Sequence, residues 1–409
     1  MNISKVNLSS SSWYVFVFFI LTKAFAGPLG LFFPYIRFFP VLLMFTLMII
    51  KIYQLASVRA SFIILLSALA LYVFIGTANN SIFASLFGMY IFIPFAFSFL
   101  FHNELISKIL SKDNTLNLFL LLTCSIGIIY VNIYGGAWIG AEQEIGGVTK
   151  EISKSWSSDG VIRNPGFTSG SVTAASIILI TASFLIYNYF KRGNYLILAI
   201  LLALSVYTIN LTTTKTMIVS LFFVVLMICM PLYLCRWFVK GTLVFCALFS
   251  YFFMFGTPSL GYYDNDNTFL IRMYRTWPTA ISILDNEISL VIGKGFGAIG
   301  TPAYLFNLKI ASPADNMFVY FYVIFGLLSV VFFSVFYIKL LLRKSFFVGN
   351  EKKYLILLFI IFMGALTYNL IESTVYAAYG GVVMGVIWFL DKKIVKNISK
   401  DNNKEDRKS

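Results

Sequence analysis

Long apolar runs alternate with short polar breaks along the whole chain of 409 residues. An α-helix needs about 20 mostly apolar residues to cross the hydrocarbon of a bilayer. Runs of that size predict spans near residues 13–33, 38–53, 61–78, 82–101, 115–134 and 170–190, and six more near 195–210, 216–234, 241–256, 316–338, 354–371 and 375–390. The pattern predicts an all-α polytopic integral membrane protein, with about 12 transmembrane helices in one domain over residues 1–409. The run from Trp13 to Phe33 is followed at once by another, so it reads as a first span and not as a removed leader. Two connectors, 135–169 and 257–315, are too long to be simple turns, and loops of that length are usually functional.

Composition fixes the solvent. Apolar residues make up 59% of the chain and charged residues 12%, where a soluble domain carries about 25%. A core of that size cannot be hidden by its own polar surface, so lipid must surround it. The net charge of +14 first suggests nucleic acid, but seven of the 31 basic residues lie in the tail Asp391–Ser409. That tail is poor in apolar residues and reads as a basic, disordered, cytoplasmic end. With the N-terminus in the cytoplasm, 21 of the 31 Lys and Arg residues fall on inside segments and every short inside loop is basic. Both termini are then cytoplasmic and both long connectors lie outside. With Lys215, these connectors hold eight of the ten remaining basic residues and nine of the 17 acidic ones, a mixed polar surface that suits a site.

The outer segments contain the candidate chemistry. In GVIRNPGFTSGSVTAAS, Arg163 precedes a Pro-Gly turn and a helix start made of small and hydroxylated residues. Such a helix mouth suits an anionic phosphate, although a snorkelling arginine at the interface fits equally simply. Arg272 and Arg275 in NTFLIRMYRTWPTAI are three apart, hence on one face of a helix, to grip a diphosphate or to rest on headgroups. The run IGKGFGAIG offers either a structural turn, the simpler reading, or a backbone anion nest beside Lys294. Asp315 and Asn316 stand at the outer end of the tenth span, where Asp315 is either the helix N-cap or a general base. Glu372 sits between two apolar segments, where an acid is costly and usually functional or paired. Lys215 opens an outer helix and could neutralise a phosphate. His102 is the sole histidine and falls on the cytoplasmic side, and the four cysteines lack metal-ligand spacing, so no metal or nucleotide cofactor is expected.

The layout of spans, the long late outer loop and the outer arginines resemble the bacterial O-antigen polymerase (Wzy) family and the related O-antigen ligases. The likeness is carried by RNPGFTSGSVTAAS at Arg163, TTTKTMIVS at Lys215, the Arg272/Arg275 segment with GKGFG, and ADNMFVYFYVIFGLLS at Asp315. Two departures stand out: Thr214-Lys215 where many relatives have Ser-Arg, and Asp315-Asn316 where ligases tend to place His beside the Asn. The second favours polymerase over ligase.

The resemblance implies a metal-independent glycosyltransferase of lipopolysaccharide or other surface polysaccharide biosynthesis, multi-pass in the cell inner membrane and active at its periplasmic face. Donor and acceptor are glycans on undecaprenyl diphosphate. Arg163, Lys215, Arg272, Arg275 and Lys294 would hold the diphosphate, Asn316 would touch substrate, and Asp315 or Glu372 would take the proton of the attacking hydroxyl. Trp138, Trp156, Tyr262, Tyr263 and Trp277 would offer sugar-stacking faces. The bilayer and a chain-length regulator protein are the implied partners, with no nucleic acid. A ligase moving polymer to lipid A core and a flippase of the lipid-linked repeat remain the alternatives, while a secondary transporter would need inverted repeats that the chain does not display.

Overall fold

Helix follows helix through the computed structural model, which describes residues 8–54, 60–111, 113–145, 148–154, 156–158, 161–255, 268–306, 308, 311–313, 315–346, 350–367 and 371–389. The first part comprises α1 (Leu8–Ala24), α2 (Ala26–Phe32), α3 (Phe39–Gln54), α4 (Ala60–Asn79), α5 (Ile82–Leu100), α6 (His102–Ile109) and α7 (Thr115–Tyr134). Strands β1 (Glu142–Ile145), β2 (Val148–Glu151), β3 (Trp156–Ser158) and β4 (Val161–Arg163) follow. Next come α8 (Ser171–Lys191), α9 (Tyr195–Leu211), α10 (Lys215–Cys229) and α11 (Leu232–Phe255). The second long connector holds α12 (Thr268–Ile271), a π-turn (Arg272–Thr276), α13 (Trp277–Ile281), α14 (Glu287–Ile292) and α15 (Thr301–Leu305). The chain then forms α16 (Met317–Phe325), α17 (Leu327–Leu342), α18 (Glu351–Thr367) and α19 (Thr374–Phe389). The basic tail 391–409 and Tyr262 and Tyr263 lie outside the described residues.

Among the described residues, α5, α7, α8 and α11 are each long and apolar enough to cross a membrane, and α1 with α2 makes a fifth such unit bent by 85°. The bend interrupts the expected span 13–33. The expected span 316–338 is likewise broken, at Gly326, whose φ of 57° is open to glycine and costly for other residues. Two features were not anticipated. The short amphipathic helix α6 lies between α5 and α7, and the first long connector contains strands. The all-α expectation is thus corrected: β1 pairs antiparallel with β2, and β3 with β4, as two small hairpins.

Helices α5, α8, α18 and α19 form the interior. α19 is buried along nearly its whole length, as its uniformly apolar sequence requires. Its closest neighbour is α5, and the sequence Gly381-Val-Val-Met-Gly385 makes that approach possible. A Cβ on Gly385 would stand 2.6 Å from the Phe99 carbonyl oxygen, and one on Gly381 would collide with that of Phe95.

The two ends of the bundle use their basic residues differently. At the end holding α6, cationic side chains donate to carbonyls where helices finish. Lys51 meets Leu100 O at 2.8 Å, Lys352 meets Met230 O at 2.7 Å, and Lys353 meets Ser111 O at 2.7 Å. Lys240 meets Leu341 O at 3.0 Å, Lys339 meets Trp388 O at 2.9 Å, and Arg343 meets Ile387 O at 2.7 Å. Lys51 also pairs with Glu104 at 2.8 Å and Arg236 with Glu351 at 2.6 Å. At the opposite end, the hairpins, the second long connector and the starts of α8, α10, α16 and α19 come together.

A Gly381→Val substitution should force α19 off α5, with an overpacking cost of about 1–3 kcal/mol. The melting temperature of the detergent-purified protein is expected to fall by several degrees. An unchanged value would show that the two helices separate freely.

Candidate functional site

The hairpin end is assembled by loops that reach across helices. The chain after β4 turns at Pro165-Gly166, so that Phe167 O accepts from Gly27 N at 2.8 Å. Asn164 N donates to Leu211 O at 3.4 Å, and its side-chain amide meets Asn132 Oδ1 at 2.9 Å. The residue after Arg163 is thereby held against the end of α9, just before the Thr212–Thr214 turn that leads to Lys215. Thr213 in that turn adopts φ 56°, rarely tolerated by a β-branched residue, and its hydroxyl is buried without a partner among the described residues. Lys215 is exposed at the first position of α10, and Arg163 has a buried Nε likewise without a partner. Further along, Met217 Sδ accepts from Tyr376 Oη at 3.0 Å, which ties the start of α10 to the start of α19.

Glu372 lies in the turn before α19 and accepts a short hydrogen bond from Thr301 N, the first amide of α15. The contact depends on Gly300. With φ 77° and no Cβ, it leaves the space that the carboxylate occupies. Burial pushes the Glu372 carboxyl above the usual range and the nearby Asp315 adds to this, while Thr301 N–H and Lys154 oppose it. Asp315 is held at 3.1 Å by Arg272 Nε, and Arg272 Nη1 also donates to Thr367 O at 2.8 Å. Tyr304 lies within electrostatic reach of both acids, and burial together with their charge raises its phenol. Two carboxylates, a phenol, Arg272 and Lys154 therefore form one cluster of interacting groups.

Several sequence expectations change here. Asp315 is not the helix cap. Asn316 is, with Oδ1 accepting from Phe318 N at 2.8 Å and Nδ2 donating to Ser250 Oγ at 2.9 Å. Asn316 is fully buried with its amide occupied, so it is corrected from a substrate contact to a structural cap, and Asp315 is left to Arg272. Arg272 and Arg275 do not act as one grip. The π-turn takes more residues per turn than an α-helix, so residues three apart no longer share a face, and Arg272 is half-buried on Asp315 while Arg275 is exposed.

The glycine run serves packing. The amides of Lys294, Gly295 and Phe296 donate to Val323 O, Ile324 O and Tyr72 O at 2.9, 3.1 and 3.0 Å, so they are not aimed at an anion. Lys294 itself pairs with Asp285 at 2.6 Å. Trp138 and Trp277 are buried, which corrects their assignment as stacking faces, whereas Trp156 is 55% exposed with Lys154 over its ring at 4.9 Å.

Three further cations, Lys23, Arg37 and Lys150, lie within electrostatic reach of one another, and Lys150 of Glu372. Burial, with Arg37 and Lys154 alongside, pushes the Lys150 ammonium down to about 8, partly opposed by Glu372. Among the described residues, none of Lys23, Arg37, Lys150, Lys154, Arg163 and Lys215 makes an ion pair or donates to a backbone carbonyl, and Arg37 donates to the Gln143 side-chain oxygen. The only signal in the sequence was their failure to follow the inside bias of the other basic residues.

A carboxyl whose folded pKa is raised favours the fold while protonated. That advantage is lost as pH rises from the unfolded value toward the folded one, and the deficit persists above it. Glu372→Gln keeps an oxygen for Thr301 N–H and removes the buried charge. The variant should therefore melt above the parent at pH 7, with the difference shrinking at pH 4; a lower melting temperature at pH 7 would refute this account of Glu372. Comparison of the chain with protein-family models, with curated proteins and with solved structures finds no match to any of them.

Proposed function

We propose that this chain polymerises undecaprenyl-diphosphate-linked oligosaccharide repeat units into O-antigen or a related surface polysaccharide. On this reading it crosses a bacterial inner membrane twelve times, with both termini in the cytoplasm and the hairpin end in the periplasm. Beyond the four long apolar helices, shorter ones such as Tyr195–Leu211, Lys215–Cys229 and Thr374–Phe389 complete the crossings.

The observation that carries the proposal is the contrast between the two ends. Helix C-termini carry partial negative charge and helix N-termini partial positive charge. At the α6 end, basic side chains meet C-termini, a favourable pairing. At the hairpin end, Lys215 opens α10, Arg163 precedes α8, and neither has an acidic partner among the described residues. Cations gathered at helix N-termini repel both each other and the helix ends. An anionic substrate removes that cost, and a lipid diphosphate at the membrane surface has the needed charge and location.

The chemistry follows from the cluster around Glu372 and Asp315. A hydroxyl oxygen of the acceptor sugar attacks the anomeric carbon of the donor. The bond from that carbon to the diphosphate oxygen breaks, and its electron pair leaves with the polyprenyl diphosphate. Glu372, with its pKa moved toward neutrality by burial, accepts the hydroxyl proton. Arg163 and Lys215 stabilise the charge developing on the leaving group, and Arg272 fixes Asp315 to orient sugar hydroxyls. The exposed face of Trp156 supports a sugar ring.

Surface polysaccharide from a strain lacking the gene is expected to run as a single capped repeat unit instead of a ladder. Arg163→Ala and Lys215→Ala should shorten or erase the ladder, and Glu372→Gln should slow polymerisation about 10²–10⁴-fold, with membrane levels of each protein unchanged. A full ladder in Arg163→Ala would remove that arginine from the site. Free core with accumulated lipid-linked polymer would identify a ligase, and repeat units held at the cytoplasmic face a flippase.

A further inference from the structure

Helix α14 starts at the exposed polar run Asp285-Asn286-Glu287 and packs against α16 and α17. It does not stay level with the helix starts at the hairpin end. α16 begins there after its cap Asn316 and ends at Phe325, nine residues on, which is about 14 Å at the helical rise of ~1.5 Å per residue. α17 continues to the α6 end, where Lys339 meets Trp388 O. The break between α16 and α17, at Gly326, is therefore well inside the bundle. A Cβ on Gly326 would strike the Val291 carbonyl, so the last turn of α14 has descended to that level.

The chain turns at this depth and comes back. The amides of Lys294 and Gly295 meet Val323 O and Ile324 O at the end of α16, and Phe296 N meets Tyr72 O, seven residues before the end of α4. The Phe296 ring packs at 5.3 Å on Phe92, ten residues into α5, and at 5.8 Å on Phe325. Gly297 then lies against Ala84 and Gly88 of α5, and Gly300 brings Thr301 to Glu372. Because α5 is long and apolar enough to cross a membrane, a turn packed ten residues along it is at membrane depth. Irregular backbone is tolerated at such depth only where protein covers it and satisfies its polar groups. Residues 295–300 are all buried.

The side chains of α14 fit the same placement. Ile288 and Val291, three apart and so on one face, are 70% and 50% exposed. They continue the exposed apolar surface of Leu327, Leu328 and Val331 on α17. Water opposes a surface of that kind and hydrocarbon accepts it. Lys294, at the bottom of the turn, sends its Nζ back to Asp285 at the polar start of α14, at 2.6 Å. A lysine whose backbone lies in an apolar layer carries its charge to the interface in this way.

We propose that residues 286–300 are a re-entrant segment, which dips into the bilayer from the hairpin end and returns, with the Ile288–Val291 face of α14 seated among the acyl chains of that leaflet. The six residues of α14 are too few to register as a span, which is why hydropathy places the whole connector 257–315 outside. The proposal needs α5 and the α16–α17 pair to cross the membrane and does not rest on the lipid-diphosphate reading. Glu372 then receives the Thr301 N–H from a segment anchored in lipid.

Nitroxide labels on the full chain test this in nanodiscs of phosphatidylethanolamine and phosphatidylglycerol. The background is Cys229→Ser, since the other three cysteines are buried. Relaxation by oxygen, which partitions into hydrocarbon, is compared with relaxation by a water-soluble nickel chelate. The oxygen-to-nickel ratio should rise from Glu287→Cys through Ile288→Cys to Val291→Cys. At Val291 it should match Val331→Cys on α17 and exceed Ser157→Cys, on the exposed strand β3, several-fold. As a check without labels, Val291→Asp places a charge in hydrocarbon and should lower the melting temperature in the same nanodiscs by several degrees.

A ratio at Val291 as low as that at Ser157, or an unchanged melting temperature in Val291→Asp, would put α14 in water and overturn the proposal. Exclusion of both reagents from Val291, with oxygen still reaching Val331, would show the face covered by protein, such as a second copy of the chain, and would overturn the lipid contact. None of these results bears on polymerisation, which the polysaccharide ladder reads separately.

Discussion

A helix that ends inside an apolar environment leaves carbonyls without intrahelical partners, and nothing in hydrocarbon can satisfy them. The bundle meets this constraint at one end with long basic side chains. Lys51, Lys240, Lys339, Arg343, Lys352 and Lys353 each reach from one helix to the final carbonyls of another. Each bond closes a helix terminus, ties two helices together, and places positive charge against the negative end of a helix dipole. Charge that the positive-inside rule treats as a matter of orientation is, in this fold, also a set of interhelical fastenings.

The same constraint has the opposite outcome at the hairpin end. Where helices begin, the exposed groups are amides, and these are satisfied by acceptors: the Asn316 side chain at α16 and Glu372 at α15. One basic residue does close a helix there, Arg272 on Thr367 O at the end of α18. Among the described residues, Lys23, Arg37, Lys150, Lys154, Arg163 and Lys215 are not explained by closing helices, and the turn before Lys215 carries backbone strain at Thr213. On the proposed function, the energetic asymmetry between the ends, more than any single motif, separates a structural face from a binding face.

Much of the helical pattern was legible, because 20-residue apolar runs with basic punctuation have few other solutions. The runs that became α8 and α19 were found within a few residues. What was missed follows from local chemistry that hydropathy does not register. The hairpin β1–β2 has the alternation Glu-Gln-Glu-Ile and Val-Thr-Lys-Glu around Gly146-Gly147, a recognisable hairpin signal overlooked in a loop judged only by length. The break at Gly326 lies inside an unbroken apolar run, so only its φ reveals it. Among site residues, Glu372 stood out because a lone acid between apolar segments is expensive. Asp315 and Asn316 exchanged roles because both types cap helices equally well. Lys23, Arg37 and Lys150 are far apart in sequence, and only tertiary packing brings them together.

The glycine run 293–300 shows how packing and chemistry are joined. Gly293, Gly295 and Gly297 all have positive φ, and a Cβ on any of them would strike the backbone of α16, α4 or α5. The loop is consequently threaded among helices and held by hydrogen bonds to their carbonyls, so its last residue, Gly300, is positioned by the bundle core and not by solvent. That position sets the Thr301 amide on Glu372. One backbone donor offsets only part of the cost of burying a carboxylate, and the carboxyl remains raised. A second donor would lower it further, and loss of the Thr301 amide would raise it. On the proposed mechanism, a loop without side chains to do chemistry thus determines whether the neighbouring acid can act as a base.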